Sequence, residues 1–221
     1  MPTSPRVRAE RVEVRRSREL ILAAAELHFS TSDAELTMSQ LAHLAGVGNA
    51  TLYRRYPSMD DVVRELYGHL IGELDGLAAV VMSQPTGWDA IVAVVTGIVD
   101  TLQKHPAIGR LNRRMVAQED DRRLTTQWDA QLDGLVRMAQ AEGTLRGDVN
   151  STDITFAAFR LGSYSNLPPH ERDRILGRQI GIVLDGLRAD GIRVELPGGL
   201  ITSDDVHEIF RYEVANPGPT P

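Results

Sequence analysis

Residues 46–58, GVGNATLYRRYPS, concentrate side chains suited to recognising a partner in one short stretch. The stretch holds two glycines, a threonine, two tyrosines and two adjacent arginines. Glycine allows tight turns, whereas tyrosine and arginine are costly to bury unless their polar ends find partners. Because a hydrophobic core is not built from this mixture, we expect the stretch to contact a partner outside the chain.

The amino terminus carries a second concentration of positive charge. Six arginines stand against two glutamates in the first 18 residues, a net charge of +4, although the whole chain carries -6. These arginines are Arg6, Arg8, Arg11, Arg15, Arg16 and Arg18. Such asymmetry predicts that residues 1–17 are a flexible basic arm that contacts nucleic acid. The alternative is a solvated tail without a partner.

The rest of the sequence predicts helices throughout, so the expected fold class is all-α, with about nine or ten helices. Apolar residues recur at helical spacing in RSRELILAAAELHFS. Thr37 and Gln40 form a capping-box pattern before a helix that ends at Gly46. A short helical segment follows, and Pro57 ends it. Longer amphipathic segments occupy the chain beyond it.

Two short helices joined at Gly46 have the layout of a helix-turn-helix motif, which we place within residues 18–63. The small or apolar residues predicted to form its core are Leu41, Ala42, Leu44, Val47 and Leu52. The other side chains of the last helix then face outward. In such motifs that helix enters the major groove of DNA.

The outward residue types match the chemistry of a DNA duplex. Asparagine pairs with adenine, arginine pairs with guanine, and alanine or threonine methyls meet the thymine methyl. Tyrosine hydroxyls and helix amino termini hold phosphates. The predicted DNA contacts are Arg15, Arg16, Thr37, Gln40, Asn49, Ala50, Thr51, Tyr53, Arg54, Arg55 and Tyr56. The alternative is that the tyrosines are partly buried and the arginines only solvate a surface.

Residues 18–70 resemble the amino-terminal domain of the TetR family of bacterial transcriptional regulators. The resemblance rests on ILAAAELHF, LTMSQLAHLAGVGNATLYRRYPS and DDVVRELY. It implies a three-helix DNA-binding domain, followed in residues 64–213 by a helical domain that dimerises and often binds a small-molecule effector. It also implies a repressor that binds a palindromic operator until the effector releases it. Residues 214–221 are expected to be a disordered tail.

Three positions depart from the pattern of that family. The family usually has Ser at the position of Gly48, Lys at that of Met59 and Phe at that of Tyr56. Gly48 offers no side-chain oxygen to cap the recognition helix, and Met59 cannot contact a phosphate. These departures keep an alternative function open, namely a helical protein-interaction module, derived from such a regulator, that no longer binds DNA.

The last two long helices are predicted to form a homodimer interface. Small residues at helical spacing let helices approach closely, and aliphatic side chains fill the seam. The predicted interface residues are Ile154, Ala158, Leu161, Gly162, Gly177, Ile180, Gly181 and Leu184. Two such helices from each subunit would form a four-helix bundle about a two-fold axis. The alternative is that this face packs only within its own subunit.

The middle helices supply aromatic, methionine and polar side chains that suit an adaptable ligand pocket. The residues predicted to line it are Trp88, Asn112, Met115, Trp128, Phe156, Phe159, Arg160 and Tyr164. They suit an ordinary core equally well, so that alternative stays open.

Catalytic and metal sites are not expected. The Gly-x-Gly in GVGNAT follows a helix and lacks a third glycine, so it is not a dinucleotide-binding motif. The six histidines are scattered, and the chain contains no cysteine. We therefore expect a protein that is not an enzyme, holds no metal or cofactor, and works in the cytoplasm, because the sequence contains no membrane span or signal peptide.

Overall fold

The computed structural model describes residues 5–32, 34–117, 122–162, 168–190 and 194–215. Within these ranges the backbone forms ten helices and no strand, which confirms the all-α prediction. The helices are α1 (Pro5–Thr31), α2 (Met38–Ala45), α3 (Asn49–Arg55), α4 (Met59–Met82), α5 (Gly87–Lys104), α6 (Ala107–Ala117), α7 (Arg122–Ala141), α8 (Ser151–Gly162), α9 (Pro169–Leu187) and α10 (Ser203–Ala215).

The chain divides into two compact units, residues 1–70 and 71–221, and the division falls within α4. The predicted domain boundary, after residue 63, lies in the same helix. The predicted tail begins inside α10, and residues 216–221 lie outside the described residues.

The structure differs from the prediction of a flexible arm at residues 1–17. Helix α1 begins at Pro5 and continues unbroken into the segment that packs in the core. No glycine or proline occurs between Arg6 and Thr31. Once a helix is fixed at one end, each added residue gains a hydrogen bond without a new nucleation step. The basic segment therefore extends the packed helix.

The core of the first unit is formed by one apolar stripe from each of its helices. Ile21 on α1, Leu41 on α2, Leu52 on α3 and Leu66 on α4 are all fully shielded from solvent. Leu44 is 57% exposed, so the prediction that it completes this core is wrong. The buried stripe of α2 runs through positions 38, 41, 42 and 45, at helical spacing, and Leu44 lies beside it.

In the second unit, α5 packs against both α7 and α8, and α10 packs against α6. The residues of α5 that face inward include Ile91, Val94, Val95 and Ile98. The glycine at position 162 allows α8 to approach α5 closely, because a Cβ atom there would lie 2.2 Å from Cδ1 of Leu102 on α5. No described helix is both long and apolar enough to cross a membrane.

A polar clasp holds the segment that follows α9. Arg146, between α7 and α8, donates to both carboxylate oxygens of Asp148 at 2.5 and 2.7 Å. The same guanidinium donates to the carbonyls of Gly186 and Val194. Asp148 accepts from the Leu196 amide at 3.0 Å. One side-chain pair thus joins Gly186, near the end of α9, to Val194 and Leu196 beyond it.

Candidate nucleic-acid interface

Helix α2 begins with the capping box that the sequence predicts. The Gln40 amide donates to the Thr37 hydroxyl at 3.3 Å, and the Thr37 amide donates to the Gln40 side chain at 2.9 Å. The Thr37 hydroxyl also donates to that side-chain oxygen at 2.8 Å. Both side chains are exposed, but their polar groups already serve the start of the helix.

The turn between α2 and α3 depends on a left-handed glycine. Gly46 has φ 65 and ψ 29, a conformation that glycine adopts without steric cost. The Gly46 amide donates to the carbonyls of Ala42 and His43 at the end of α2. The Val47 amide also donates to the Ala42 carbonyl, at 3.0 Å. Gly48 then precedes α3 in an extended conformation and makes no side-chain cap, as the sequence predicts.

Helix α3 presents a polar face to solvent while one residue anchors it. Leu52 is fully buried. Tyr53 is 53% exposed, and Asn49, Ala50 and Arg54 are also exposed. Thr51 is half-buried. The exposed residues supply amide, methyl, phenol and guanidinium groups, which are the groups that read base edges and hold phosphates.

The two adjacent arginines of α3 differ in placement. Arg54 is exposed, whereas Arg55 is half-buried and its Nη2 donates to the Ser17 hydroxyl of α1 at 3.1 Å. The Nε atom of Arg55 is shielded from solvent and has no protein partner. The guanidinium of Arg55 therefore points into the first unit, which differs from the prediction that it faces DNA.

Tyr56 also differs from its predicted placement. It is 2% exposed, and its hydroxyl is buried without a hydrogen-bond partner. Direct contact with DNA is incompatible with this burial, so the prediction for Tyr56 is wrong. Burial, helped by the negative charge of Glu65, raises the pKa of Tyr56 to about 12. The aromatic ring packs as a core residue because α3 ends here and turns into α4.

A charged pair lies beside Tyr56. Arg18 of α1 donates through Nε to the Glu65 carboxylate of α4. This hydrogen bond raises the pKa of Arg18 above its usual value. Sequence reasoning missed Ser17 and Glu65, because each lies far along the chain from its partner, and no local pattern marks such a pairing.

The remaining predicted contacts lie on α1. Arg15 and Arg16 are both exposed. Arg15 lies 3.6 Å from the Glu19 carboxylate, one helical turn away. The two arginines therefore sit on a helix, whereas the sequence predicts a flexible arm.

The structure divides the predicted dimer residues into two groups. Ile154, Ala158, Leu161 and Gly162 are buried within the protomer, where α8 packs on α5, so their assignment to a subunit interface is wrong. Small residues at helical spacing serve an internal contact as well as an external one, which is why the pattern misled. On α9, Gly177 and Gly181 are exposed, and Ile180 and Leu184 are half-buried.

The predicted pocket residues differ in burial. Trp88 lies under the Arg188 guanidinium, 4.3 Å from the ring centre. Met115 is 3% exposed and belongs to the core. Asn112, Phe156 and Phe159 are half-buried, and Arg160 is exposed. Tyr164 and the side chain of Trp128 lie outside the described residues. Among the described residues, no three metal-ligating side chains form a group that could hold a metal ion.

Comparisons with known proteins agree with this geometry. Residues 20–66 match the family described as bacterial regulatory proteins, tetR family. The TetR transcriptional regulator SCO0520 from Streptomyces coelicolor is 27% identical, with a TM-score of 0.53 over 79% of this chain and 99% of that chain. Comparison with curated proteins finds no match.

Two further solved structures share the fold at lower identity. The ketosteroid transcriptional regulator KstR2 of Mycobacterium tuberculosis is 16% identical, with a TM-score of 0.65 over 78% of this chain and 95% of that chain. A gamma-butyrolactone receptor described as ArpA-like is 17% identical, with a TM-score of 0.59 over 80% and 90%. The proteins of the matched family are transcription factors and not enzymes. Residues 20–66 therefore form an amino-terminal domain of the tetR family of bacterial regulatory proteins, and the chain as a whole resembles solved TetR-family regulators in fold.

Proposed function

We propose that this chain is a homodimeric repressor that binds a near-palindromic DNA operator through α3 and is released by a small-molecule effector. One observation carries the proposal. The turn at Gly46 and the buried Leu52 fix α3 so that its other face is open to solvent. A short helix fixed in this way after a capped helix is the arrangement that enters a major groove.

The proposed reading surface consists of Asn49, Ala50, Tyr53 and Arg54, with Thr51 at its edge. Asn49, Ala50 and Thr51 can contact base edges by hydrogen bonds and by methyl contact, and Tyr53 and Arg54 can hold phosphates. Arg15 and Arg16 add positive charge from α1 and are proposed to meet phosphates. Thr37 and Gln40 contribute through the start of α2, whose capping box fixes the position of its first amide groups.

The proposed dimer seam is the exposed side of α9, centred on Gly177 and Gly181. A Cβ atom at either glycine would meet nothing within 4 Å in the protomer. A second copy of α9 can therefore approach that surface closely, and Ile180 and Leu184 flank it. Two-fold symmetry then presents two copies of α3 to two half-sites of an operator.

The proposed effector is a small, largely apolar molecule bound by the second unit. Phe156 and Phe159 stand one turn apart on α8 and are half-buried, so part of each ring is available to a ligand. The ketosteroid regulator and the gamma-butyrolactone receptor bear names that refer to small organic molecules. We therefore propose a small organic molecule as the effector class of this chain, and we propose no particular compound.

The test is selection of bound duplexes from a random DNA library, followed by fluorescence anisotropy on the enriched sequence at several salt concentrations. We expect a near-palindromic sequence whose binding weakens steeply with salt. Tyr53→Ala should weaken binding roughly tenfold, as for the loss of a groove or phosphate contact. Leu27→Ala is the matched control, since Leu27 is 67% exposed on α1 outside the proposed surface.

A second candidate function is supported by Gly48, which leaves the start of α3 without a side-chain cap. A weakly fixed α3 is expected of a helical protein-interaction module that no longer binds DNA. Folded protein that enriches no duplex and shows no salt-dependent binding would select this function over the repressor.

A further inference from the structure

Arg55 and Arg54 are adjacent in α3 but face different surroundings. The guanidinium of Arg55 reaches back to α1, where its Nη2 donates to the Ser17 hydroxyl at 3.1 Å. That hydroxyl in turn donates to the Val14 carbonyl at 3.0 Å. Ser17 is thus fixed to its own helix while it accepts from Arg55. The contact joins two helices across 38 positions of sequence.

The contact matters because α3 is too short to hold its own orientation. The helix has seven residues, and Leu52 is the residue that it buries fully. A helix of this length is not stable alone, so its orientation depends on tertiary contacts. An apolar anchor resists separation but allows rotation, because the hydrophobic effect has no direction. A planar guanidinium with directed hydrogen bonds restricts rotation.

The surroundings of Arg55 are polar and only partly shielded from solvent. Next to it in the chain, Tyr56 keeps its hydroxyl buried, and the Arg18–Glu65 pair joins α1 to α4 beside it. Arg55 is one of the charged groups whose field acts on Tyr56. Helices α1, α3 and α4 therefore meet at one polar cluster, which comprises Ser17, Arg18, Arg55, Tyr56 and Glu65.

We propose that Arg55 is a positioning residue, which fixes the angle of α3 on α1 through Ser17 and thereby presents Asn49, Ala50 and Tyr53 to DNA, without contacting DNA itself. The proposal rests on the proposed DNA-binding function. It assigns the two arginines different roles: Arg54 meets the duplex, and Arg55 holds the helix that carries Arg54.

The experiment compares Arg55→Lys, Arg55→Ala and Ser17→Ala with Arg54→Lys and Arg54→Ala. The probe is the duplex that the wild-type protein enriches from a random library, and all measurements are made where circular dichroism shows every variant fully folded. Lysine keeps the charge but loses the planar fork. We expect Arg55→Lys to weaken binding roughly tenfold with an unchanged salt slope, and Ser17→Ala to weaken it in the same way by less. Arg54→Ala should reduce the salt slope by about 1, and Arg54→Lys should bind nearly as wild type.

The same variants are examined without DNA by amide hydrogen exchange of α2 and α3. We expect Arg55→Lys and Ser17→Ala to speed exchange in α3 while α2 stays unchanged, because the lost bond joins α3 to α1 and not to α2. The proposal is overturned if Arg55→Lys binds as tightly as wild type while Arg55→Ala reduces the salt slope, because that pair of results marks a phosphate contact.

Unchanged exchange in α3 would also overturn it. Failure of the wild-type protein to bind any duplex would reject the repressor function, and the exchange result would still decide whether Arg55 holds α3.

Discussion

Helices α8 and α9 contain similar residues but use them in opposite ways. Gly162 of α8 lies so close to Leu102 that a Cβ atom would overlap it, whereas Gly181 of α9 faces open space. The apolar stripe of α8 is buried against α5, while α9 keeps an exposed side. A small residue thus marks a close approach in one helix and an open surface in the next.

Helix α3 repeats this contrast over four residues. Tyr53 is 53% exposed and Tyr56 is 2% exposed, although both are tyrosines of one short segment. Arg54 is exposed, and Arg55 reaches inward to Ser17. In both regions the residue type is the same and the packed neighbour differs. The neighbour, and not the residue type, decides whether a side chain stabilises the fold or serves a partner.

The largest effect is expected from placing the same side chain at the two glycines. Gly162→Leu would put its Cβ atom 2.2 Å from Cδ1 and 2.8 Å from Cβ of Leu102, and the latter atom cannot rotate away. We expect the free energy of unfolding to fall by about 3 kcal/mol or more, the upper range for overpacked cores. Urea unfolding measures the change.

Gly181→Leu is the matched control for that experiment. Leucine favours helix by roughly 0.8 kcal/mol over glycine, and its Cβ atom would meet nothing within 4 Å at this position. We expect no loss in the unfolding free energy of the monomer. Equal destabilisation by the two substitutions would remove the contrast between α8 and α9.

The next effect is a loss of stability in alkali that depends on Tyr56. An unfolded tyrosine ionises near pH 10, whereas burial keeps Tyr56 neutral in the folded protein to about pH 12. The folded state then holds more protons between these values, so stability falls as pH rises from about 10 towards 12. The expected loss is about 2–3 kcal/mol, from two pKa units at 1.36 kcal/mol each.

Ultraviolet titration and urea unfolding in alkali measure this dependence in wild type, Tyr56→Phe and Tyr53→Phe. Tyr56→Phe should remove the late-titrating phenol and flatten the alkaline loss of stability. Tyr53→Phe should leave both features in place, because Tyr53 is exposed. A wild-type protein whose five tyrosines all titrate near pH 10 would contradict the placement of Tyr56.

A smaller effect is expected on the proposed dimer. Gly181→Leu should raise the dimer dissociation constant about tenfold or more, which corresponds to about 1.4 kcal/mol, because the longer side chain holds two copies of α9 apart. Analytical ultracentrifugation over a range of concentrations measures the constant. Ile182 is 54% exposed on the same helix, so Ile182→Ala is a second variant for the same measurement. An unchanged dimer in Gly181→Leu would move the interface away from this glycine.

Much of the first unit could be predicted from the sequence because its signals are local. The capping box of Thr37 and Gln40, the left-handed Gly46 and the buried Leu52 each follow from residues a few positions apart. The burial of Tyr56 and the inward turn of Arg55 could not be predicted. They depend on α1 and α4, whose contacting residues are distant in the chain.

The second unit was harder to predict for the same physical reason. Helical spacing identifies a stripe of small and apolar residues, but it does not say what covers the stripe. Thus α8 and α9 have similar patterns, and the structure separates them because α8 buries its stripe against α5 whereas α9 keeps an exposed side. The cation–π contact between Trp88 and Arg188 likewise joins residues that no local pattern relates.

The smallest effect is expected from changes at two aspartates near the surface, one with distant partners and one with a neighbouring partner. Asp148 accepts from Arg146 and from the distant Leu196 amide, whereas Asp205 accepts from the amide and hydroxyl of Thr202, three residues away at the start of α10. The Arg146 side chain and the Leu196 amide hold the pKa of Asp148 well below its usual range. This carboxylate therefore stabilises the fold above pH 3.8, and its contribution is lost as pH falls below that value.

Nuclear magnetic resonance of backbone amides distinguishes the two carboxylates. Asp148→Asn removes the charge that holds the guanidinium and the Leu196 amide together, so exchange of that amide should quicken at neutral pH while the start of α10 is unchanged. Asp205→Asn should have the opposite pattern, because its contacts lie within one helical turn. If both substitutions loosen only their own turns, then the clasp does not join α9 to the following segment. A change at Leu196 in Asp148→Asn alone would instead establish that one carboxylate holds two distant parts of the chain together.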